Sequence, residues 1–448
     1  MERILIEDLK AKIGQNVAIA GWIEVRRDQG KVVFFDVRDR SGTVQCLVPP
    51  ASPAMETAKE IRQQYAVAVA GTVHKRPEKN VNANKLNGDI ELQIETLEIL
   101  SAAQPLPFDL DAPLHLETHL DNLPLTLRTQ RSRDIFAVQA TILDAYRNSL
   151  RSQDFTEFVA PTLVGGDAEG GAAAFKVEYF KETRAFLATS PQFYKQIMVG
   201  PFERAFTVAK IFRAEKSATT RHLSEATCLD FEMGFIGNER EPMAVLEQAV
   251  RDTVHAVGER HAVMFERFGT TLPLLPKEIP ILTLREAQKI LGAPEKPDLE
   301  PEHERAICEW AKREHGSDFV FITRFPTAQR AFYTYEDPSE APYSRGFDLL
   351  FRGLEINSGA QRIHDYEALV ARMKERGLDP EKFAFYLQAF KYGMPPHGGS
   401  STGIERFTAR MLELPNVKEA TAFPRDMTRI DSRLSEAPEF DPDARGSG

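Results

Sequence analysis

Residues 212–233 read FRAEKSATTRHLSEATCLDFEM. Apolar residues flank the stretch, with Phe206, Val208 and Ile211 before it and Leu229, Phe231 and Met233 at its end. Their period-2 spacing predicts two antiparallel strands joined by a long polar loop. The loop carries Arg213 and Arg221. Two guanidiniums on a rigid hairpin suit a triphosphate, one bridging the reacting phosphate and the other a terminal one. Arginine stays charged and offers phosphate oxygens a planar fork.

Three further stretches carry chemistry. In RGLEINSGAQRIH (352–364), Glu355 and Ser358 can set two hard oxygens on one cation, which suits Mg²⁺ bridging ATP phosphates. In PPHGGSSTGIER (395–406), small residues precede a helix-like run, so backbone can approach a nucleotide with Arg406 at the helix start. In TSPQFYKQ (189–196), Lys195 supplies a further cation; were it to meet Arg362, the pair would suit one side-chain carboxylate, and a neutral amide would leave buried charge unpaired, a penalty on the order of several kcal/mol.

At 448 residues the chain has room for two or three domains. No run of about 18 apolar residues predicts a membrane span, and MERILIEDLKAKIG at the start has no secretory pattern. Cys46, Cys228 and Cys308 form neither zinc spacing nor a disulfide framework, which fits a reducing cytoplasm. The net charge of −10 argues against nucleic acid only as a sum. Residues 1–104 hold 14 basic and 14 acidic residues, so that segment is neutral and its local basic clusters can still hold RNA.

Residues 1–104 read as five strands with one interposed helix near Ala54–Tyr65, a small Greek-key barrel of the OB type. Arg26, Arg27, Phe34, Phe35 and Gln45 combine cations, stacking surfaces and an amide there. Phe34 and Phe35 are adjacent, so at most one faces outward. Residues 105–130 are Pro-rich and read as a hinge. Ile135, Val138, Ile142, Tyr146 and Leu150 then mark a helical stripe, followed by a strand ending at Pro161. Residues 272–325 look like an inserted helical subdomain of the 131–434 domain, and 435–448 read as a polar, disordered tail.

Together these stretches resemble the class II aminoacyl-tRNA synthetases. FRAE and RHLSE are similar to motif 2, the helix and strand closing on Pro161 to motif 1, and STGIER to motif 3, with Ser401 at the usual first glycine. TSPQFYKQ, SRGFDLLFRGLEINSGAQRIHDYEAL and KYGMPPHGG resemble the archaeal-type aspartyl-tRNA synthetases over nearly the whole chain. The resemblance implies an α+β fold: an anticodon-binding OB barrel, then a catalytic domain built on an antiparallel sheet flanked by helices. It implies ATP and Mg²⁺, L-aspartate and tRNA(Asp) as partners, and a homodimer formed through motif 1.

It also implies roles. Arg213 would bridge the substrate carboxylate and the α-phosphate, with Glu355 and Ser358 on Mg²⁺. Arg221 and Arg406 would bind the β/γ end, while Glu215, His222, Leu223, Gly403, Ile404 and Glu405 complete the ATP site. Glu169 would hold the substrate ammonium, helped by Gln192, with Lys195, Arg362 and Ser358 also at the aspartate. Arg27, Phe35 and Gln45 would contact the anticodon, Phe35 stacking. Gln29 occupies a position where family members that also charge the asparagine tRNA often have His, which points to an enzyme strict for tRNA(Asp). Three rivals are an asparaginyl enzyme, disfavoured by Lys195, a tRNA-independent amide synthetase, which would typically lack the barrel, and a non-catalytic adaptor, disfavoured by Arg213, Glu355 and Arg406 together.

Overall fold

The computed structural model describes residues 1–83, 87–110, 112–166, 173–180, 183–215 and 219–430. The chain divides into two compact units, Met1–Asp109 and Leu110–Gly448. In the first, β1 (Asn16–Asp28), β2 (Val33–Arg38), β3 (Thr43–Val48), β4 (Ala66–Lys75) and β5 (Ile90–Ser101) close a barrel. Its order is β1-β2-β3-β5-β4, with α1 (Met55–Glu60) between β3 and β4. Alternation decides what fills it. Val33, Phe35 and Val37 point inward with Val44, Cys46 and Val48. Arg27 lies opposite Phe34, and Asp36 opposite Gln45, so those four residues share the other phase.

That register corrects the stacking assignment. Phe35 is 0 % exposed in the barrel core, whereas Phe34 is half-buried beside Arg27. An adjacent aromatic pair must split between the two faces of a strand, and the core took the second ring.

The second unit begins differently from expectation too. Residues 105–130 hold two short helices, α2 (Leu116–Asp121) and α3 (Leu123–Thr126), which bury Leu120 and Leu123. Helices this short show no periodic stripe in sequence. Next comes α4 (Gln130–Ser152), whose cap Thr129 accepts from the Ser132 N–H. Its stripe Ile135, Val138, Ile142, Tyr146 and Leu150 is buried.

The centre is an eight-stranded sheet in the order β12-β13-β14-β15-β16-β11-β10-β6. Short β6 (Thr156–Glu157) forms one edge; β7 (Leu163–Val164), β8 (Lys176–Glu178) and β9 (Arg184–Leu187) make a separate small sheet. After α5 (Gln192–Ile197) and α6 (Val199–Phe202) come β10 (Arg204–Phe212) and β11 (Glu225–Gly234). These two pair antiparallel from Arg204↔Met233 to Phe212↔Glu225, the hairpin anticipated from the motif 2 stretch. Long α7 (Arg240–Phe268) packs beside α4 on one sheet face.

Residues 272–325 are not a separate helical insertion. They contain α8 (Leu284–Leu291) and α9 (Pro301–His315), but also β12 (Ile281–Thr283) and β13 (Phe319–Thr323), which extend the central sheet. The sheet is completed by β14 (Gly346–Phe351), β15 (Leu354–Gln361) and β16 (His397–Gly403). Helices α10 (Tyr366–Glu375) and α11 (Ala384–Lys391) precede β16, and α12 (Ile404–Met411) follows it directly. The sheet is antiparallel from β13 to β10; the parallel pairs, β12 with β13 and β10 with β6, lie at its edges.

Strand alternation gives the sheet two characters. Leu229 and Phe231 of β11 pair with Thr402 and Ser400 of β16. Leu229 and Phe231 belong to the main core with the α4 and α7 residues, and the Tyr146 hydroxyl reaches Thr402 at 3.1 Å. The intervening residues Cys228, Asp230 and Glu232 share the opposite phase with Gly403, Ser401 and Gly399. The candidate site is built on that second face.

Candidate active site

A cavity of about 380 Å³ opens over this face. Gln192, Arg213, Glu215, Arg221, His222, Leu223, Glu355, Ser358, Arg362, Gly403, Glu405 and Arg406 all line it. Two expected residues do not. Ile404 is 2 % exposed and belongs to the hydrophobic core, because it falls on the buried phase of α12. Lys195 lies deeper than the cavity wall. Glu169 falls outside the described residues.

Lys195 and Arg362 do converge, but on carboxylates of the protein itself. The Lys195 ammonium donates to Asp230 Oδ1 at 2.6 Å and to the Ser400 carbonyl at 3.1 Å. It stands 3.6 Å from Glu232 Oε2. Arg362 Nε donates to Glu232 Oε1 at 2.9 Å, and its Nη2 to the Gly399 carbonyl at 3.0 Å. The niche is therefore a matched set of two cations and two carboxylates, not the purely positive pair expected. An unpaired buried ammonium would cost several kcal/mol, on the order expected for any isolated interior charge. Burial would push the Glu232 carboxyl up, yet Arg362 and Lys195 outweigh it and hold it below its ordinary range.

Asp230 and Glu232 were missed because charge in a strand's second phase reads as a solvent face. The signal was present in the alternation of LDFEM. Gly399 makes the space: a Cβ there would lie 2.0 Å from the Phe231 carbonyl and 2.6 Å from Glu232 Oε2. Ser401, the departure from the motif 3 glycine, donates to Asp230 Oδ2 at 3.0 Å.

Behind the niche lies a neutral chain. Tyr386 donates to Gln196 Oε1 at 3.1 Å, and Gln196 Nε2 meets His397 Nε2 at 2.8 Å. His397 Nδ1 donates to the Pro395 carbonyl at 2.9 Å. This pattern assigns the Nδ1–H tautomer. Burial brings the His397 pKa down to about 4. Closer to the cavity, Gln192 is 4 % exposed and its Nε2 has no hydrogen-bond partner among the described residues, a donor poised for a ligand.

The nucleotide side is arginine-rich. Arg406 Nη1 donates to the Glu355 carbonyl at 3.0 Å and stands 3.7 Å from that residue's carboxylate. Arg213, at the end of β10, lies 3.9 Å from Glu215. Arg221 is held by Glu304 of α9 at 2.7 Å and by the Gly353 carbonyl at 3.1 Å. Burial, then the guanidiniums of Arg406, Arg213 and Arg221, keep His222 below its usual pKa and so neutral. Glu405 serves differently: both its oxygens accept the Thr227 N–H at 3.0 Å, stapling α12 to β11.

A third oxygen-bearing residue stands beside the expected cation ligands Glu355 and Ser358. Asp348 sits opposite Ser358 in the β14–β15 ladder. Arg330 donates to Ser358 Oγ at 3.1 Å and to Asp348 Oδ2 at 2.7 Å, leaving the buried Asp348 Oδ1 without a partner among the described residues. Burial and Asp348 push the Glu355 carboxyl up to about 7 against the pull of Arg406 and Arg330. An orphaned carboxylate oxygen beside a crowded glutamate is a donor set short of positive charge, which fits a hard divalent cation. Asp348 stood out in sequence only as a charge inside the apolar run GFDLLF.

The family described as tRNA synthetases class II (D, K and N) matches residues 115–427, and the OB-fold nucleic acid binding domain matches residues 17–100. An aspartate–tRNA(Asp/Asn) ligase of Thermus thermophilus is 44 % identical over 441 residues, covering 96 % of this chain and 99 % of its own. An aspartate–tRNA(Asp) ligase of Thermococcus kodakarensis is 37 % identical, covering 93 % and 96 %. Among solved structures, asparaginyl-tRNA synthetase from Pyrococcus horikoshii with asparaginyl-adenylate aligns with a TM-score of 0.88 at 30 % identity, over 96 % of this chain and 99 % of that one. The cavity lies wholly within the matched segment, and the chain belongs to the class II tRNA synthetases of the D, K and N group.

Proposed function

We propose that the protein is an aspartate–tRNA ligase. The aspartate α-carboxylate attacks the α-phosphorus of ATP, pyrophosphate leaves, and the 3′-terminal ribose hydroxyl of tRNA(Asp) then attacks the adenylate carbonyl, releasing AMP. The observation that carries this reading is the Lys195–Asp230–Glu232–Arg362 set beside an arginine-rich cavity. Arg362 lines the cavity and faces the substrate side-chain carboxylate, with Lys195 one layer deeper reinforcing the positive end. The curated relatives, named as aspartate–tRNA ligases, support the same substrate.

The substrate carboxylate is already a nucleophile, so the protein's work is positioning and charge stabilisation. Arg213 orients the α-phosphate against the aspartate, and Gln192 donates to the amino acid. Arg221 and Arg406 take the β/γ phosphates, with Glu215 and His222 closing the pocket. Glu355, Ser358 and Asp348 would hold Mg²⁺, whose charge offsets that of the phosphates.

The protein acts as a homodimer, supported by the short edge strand β6 and by Val159 beyond it, 94 % exposed. It works in the cytoplasm, supported by three buried free thiols; no described helix is long and apolar enough to cross a membrane.

Gln29, exposed in the β1–β2 turn, favours strictness for tRNA(Asp). A second reading, in which tRNA(Asn) is charged as well, is favoured by the Thermus relative named for both tRNAs. Aminoacylation of purified tRNA(Asp) and tRNA(Asn) with labelled aspartate tests both. Aspartylation of neither would end the aspartate reading, and aspartylation of both would end strictness.

A further inference from the structure

One wall of the cavity is formed by a segment that follows α12. Residues 417–430 run back over the loop joining β10 and β11. The Val417 N–H donates to the Thr220 carbonyl at 3.1 Å, and the Ser224 N–H donates to the Arg425 carbonyl at 2.8 Å. These two main-chain bonds bracket Arg221, His222 and Leu223, all of which line the cavity. Val417 and Asp426 line it as well. Asp426 is fixed in place: Lys418 lies 2.5 Å from its Oδ2, and the N–H and hydroxyl of Thr428 donate to its Oδ1 at 2.8 and 2.9 Å.

The segment is anchored at both ends. Glu419 accepts two bonds from Arg131 of α4, at 3.1 and 2.8 Å. At the far end Arg429 donates to Asp121 and Glu117 of α2, each at 2.5 Å. Its side chain is 17 % exposed. A single strap thus joins α2 to the lip of the cavity.

We propose that residues 417–430 hold the Arg221–Leu223 segment ready for ATP, and that Arg429 is the positioning residue that keeps the strap taut. The proposal rests on the reading of this cavity as an ATP site. A loop ordered before binding does not lose that conformational freedom when the ligand arrives. Loosening the strap therefore weakens ATP and spares the aspartate side-chain niche, which hangs on α5, β11 and the residue after β15.

The test is aspartate-dependent ATP–pyrophosphate exchange on the full chain, varying each substrate in turn. Arg429→Ala raises KM for ATP about two- to five-fold, the scale of a partly exposed ion pair. KM for aspartate and kcat stay unchanged, and Arg429→Lys recovers part of the loss. Glu117→Ala with Asp121→Ala reproduces the shift, and adding Arg429→Ala to that pair adds nothing, because both ends belong to one interaction. An unchanged KM for ATP, a parallel rise in both KM values, or additive effects of the two ends overturns the strap while leaving the ATP site intact. Exchange absent from the unmutated enzyme removes the ATP reading, and the strap with it.

Discussion

Arg362 and Glu232 meet at 2.9 Å with side chains only 6 % and 0 % exposed. Each therefore depends on the other for stability as well as for substrate geometry. Arg362→Ala is expected to cost about 3–5 kcal/mol, because it strands a buried carboxylate. Urea denaturation measures that loss. Arg362→Lys keeps the charge but not the planar fork. It should retain most of the stability yet raise KM for aspartate far more than KM for ATP. Equal KM values for wild type and Arg362→Lys would remove Arg362 from aspartate recognition.

His397 sets an acid limit on stability. Its folded pKa is near 4 and its ordinary value 6.5. Between those values the unfolded chain takes up the proton first, so the His397 contribution to stability falls as pH drops through 6.5 and is lost below 4. For a fully buried ring this amounts to about 3 kcal/mol. Glu232, held low by its partners, adds its own loss from 4.5 downward, and Asp337, held near 2, from 3.8 downward. His397→Gln should remove this contribution from the slope of the stability–pH curve between pH 6.5 and 4.5, where Glu355, held near 7, contributes with the opposite sign. An unchanged slope there would show that His397 is not buried as the neutral ring.

The two barrel phenylalanines should separate cleanly. Phe35→Ala empties a fully buried site and is expected to cost about 3–5 kcal/mol. Phe34→Ala should leave the melting temperature nearly unchanged. If Phe34 stacks on a base, its removal weakens tRNA binding by about 1–3 kcal/mol. A filter-binding titration of the two variants beside their melting curves decides it, and the opposite pattern would restore Phe35 to the anticodon surface.

Asp348 offers a test of the cation site. Asp348→Asn keeps a hydrogen-bond acceptor for Arg330 but halves the charge offered with Glu355. Pyrophosphate exchange should then need several-fold more Mg²⁺ for half-maximal rate, on the order expected when one carboxylate leaves a hard-cation site. Glu355→Lys should abolish exchange at any Mg²⁺ concentration. An unshifted Mg²⁺ requirement in Asp348→Asn would leave Glu355 and Ser358 as the ligands.

Most of the framework could be read from residue order because its signals are local. The α4 stripe, the barrel alternation and the β10–β11 hairpin each repeat within one element. What could not be read depends on register or on distant partners. Phe34 and Phe35 differ only in which phase the barrel claims. The partners Arg330 and Asp348, and Arg221 and Glu304, come from separate elements, so no spacing announces them. The strands β12 and β13 hide beside longer helices, and a three-residue edge strand such as β12 carries too little alternation to notice.

The staple between Glu405 and Thr227 has an evolutionary corollary. Its donors are the Thr227 main-chain N–H, which every residue except proline supplies, and the Thr227 side chain. Position 227 can therefore exchange between threonine and serine among descendants without disturbing the aim of Arg406. Position 405 has no such freedom, since only a carboxylate of that length offers both oxygens to the same amide.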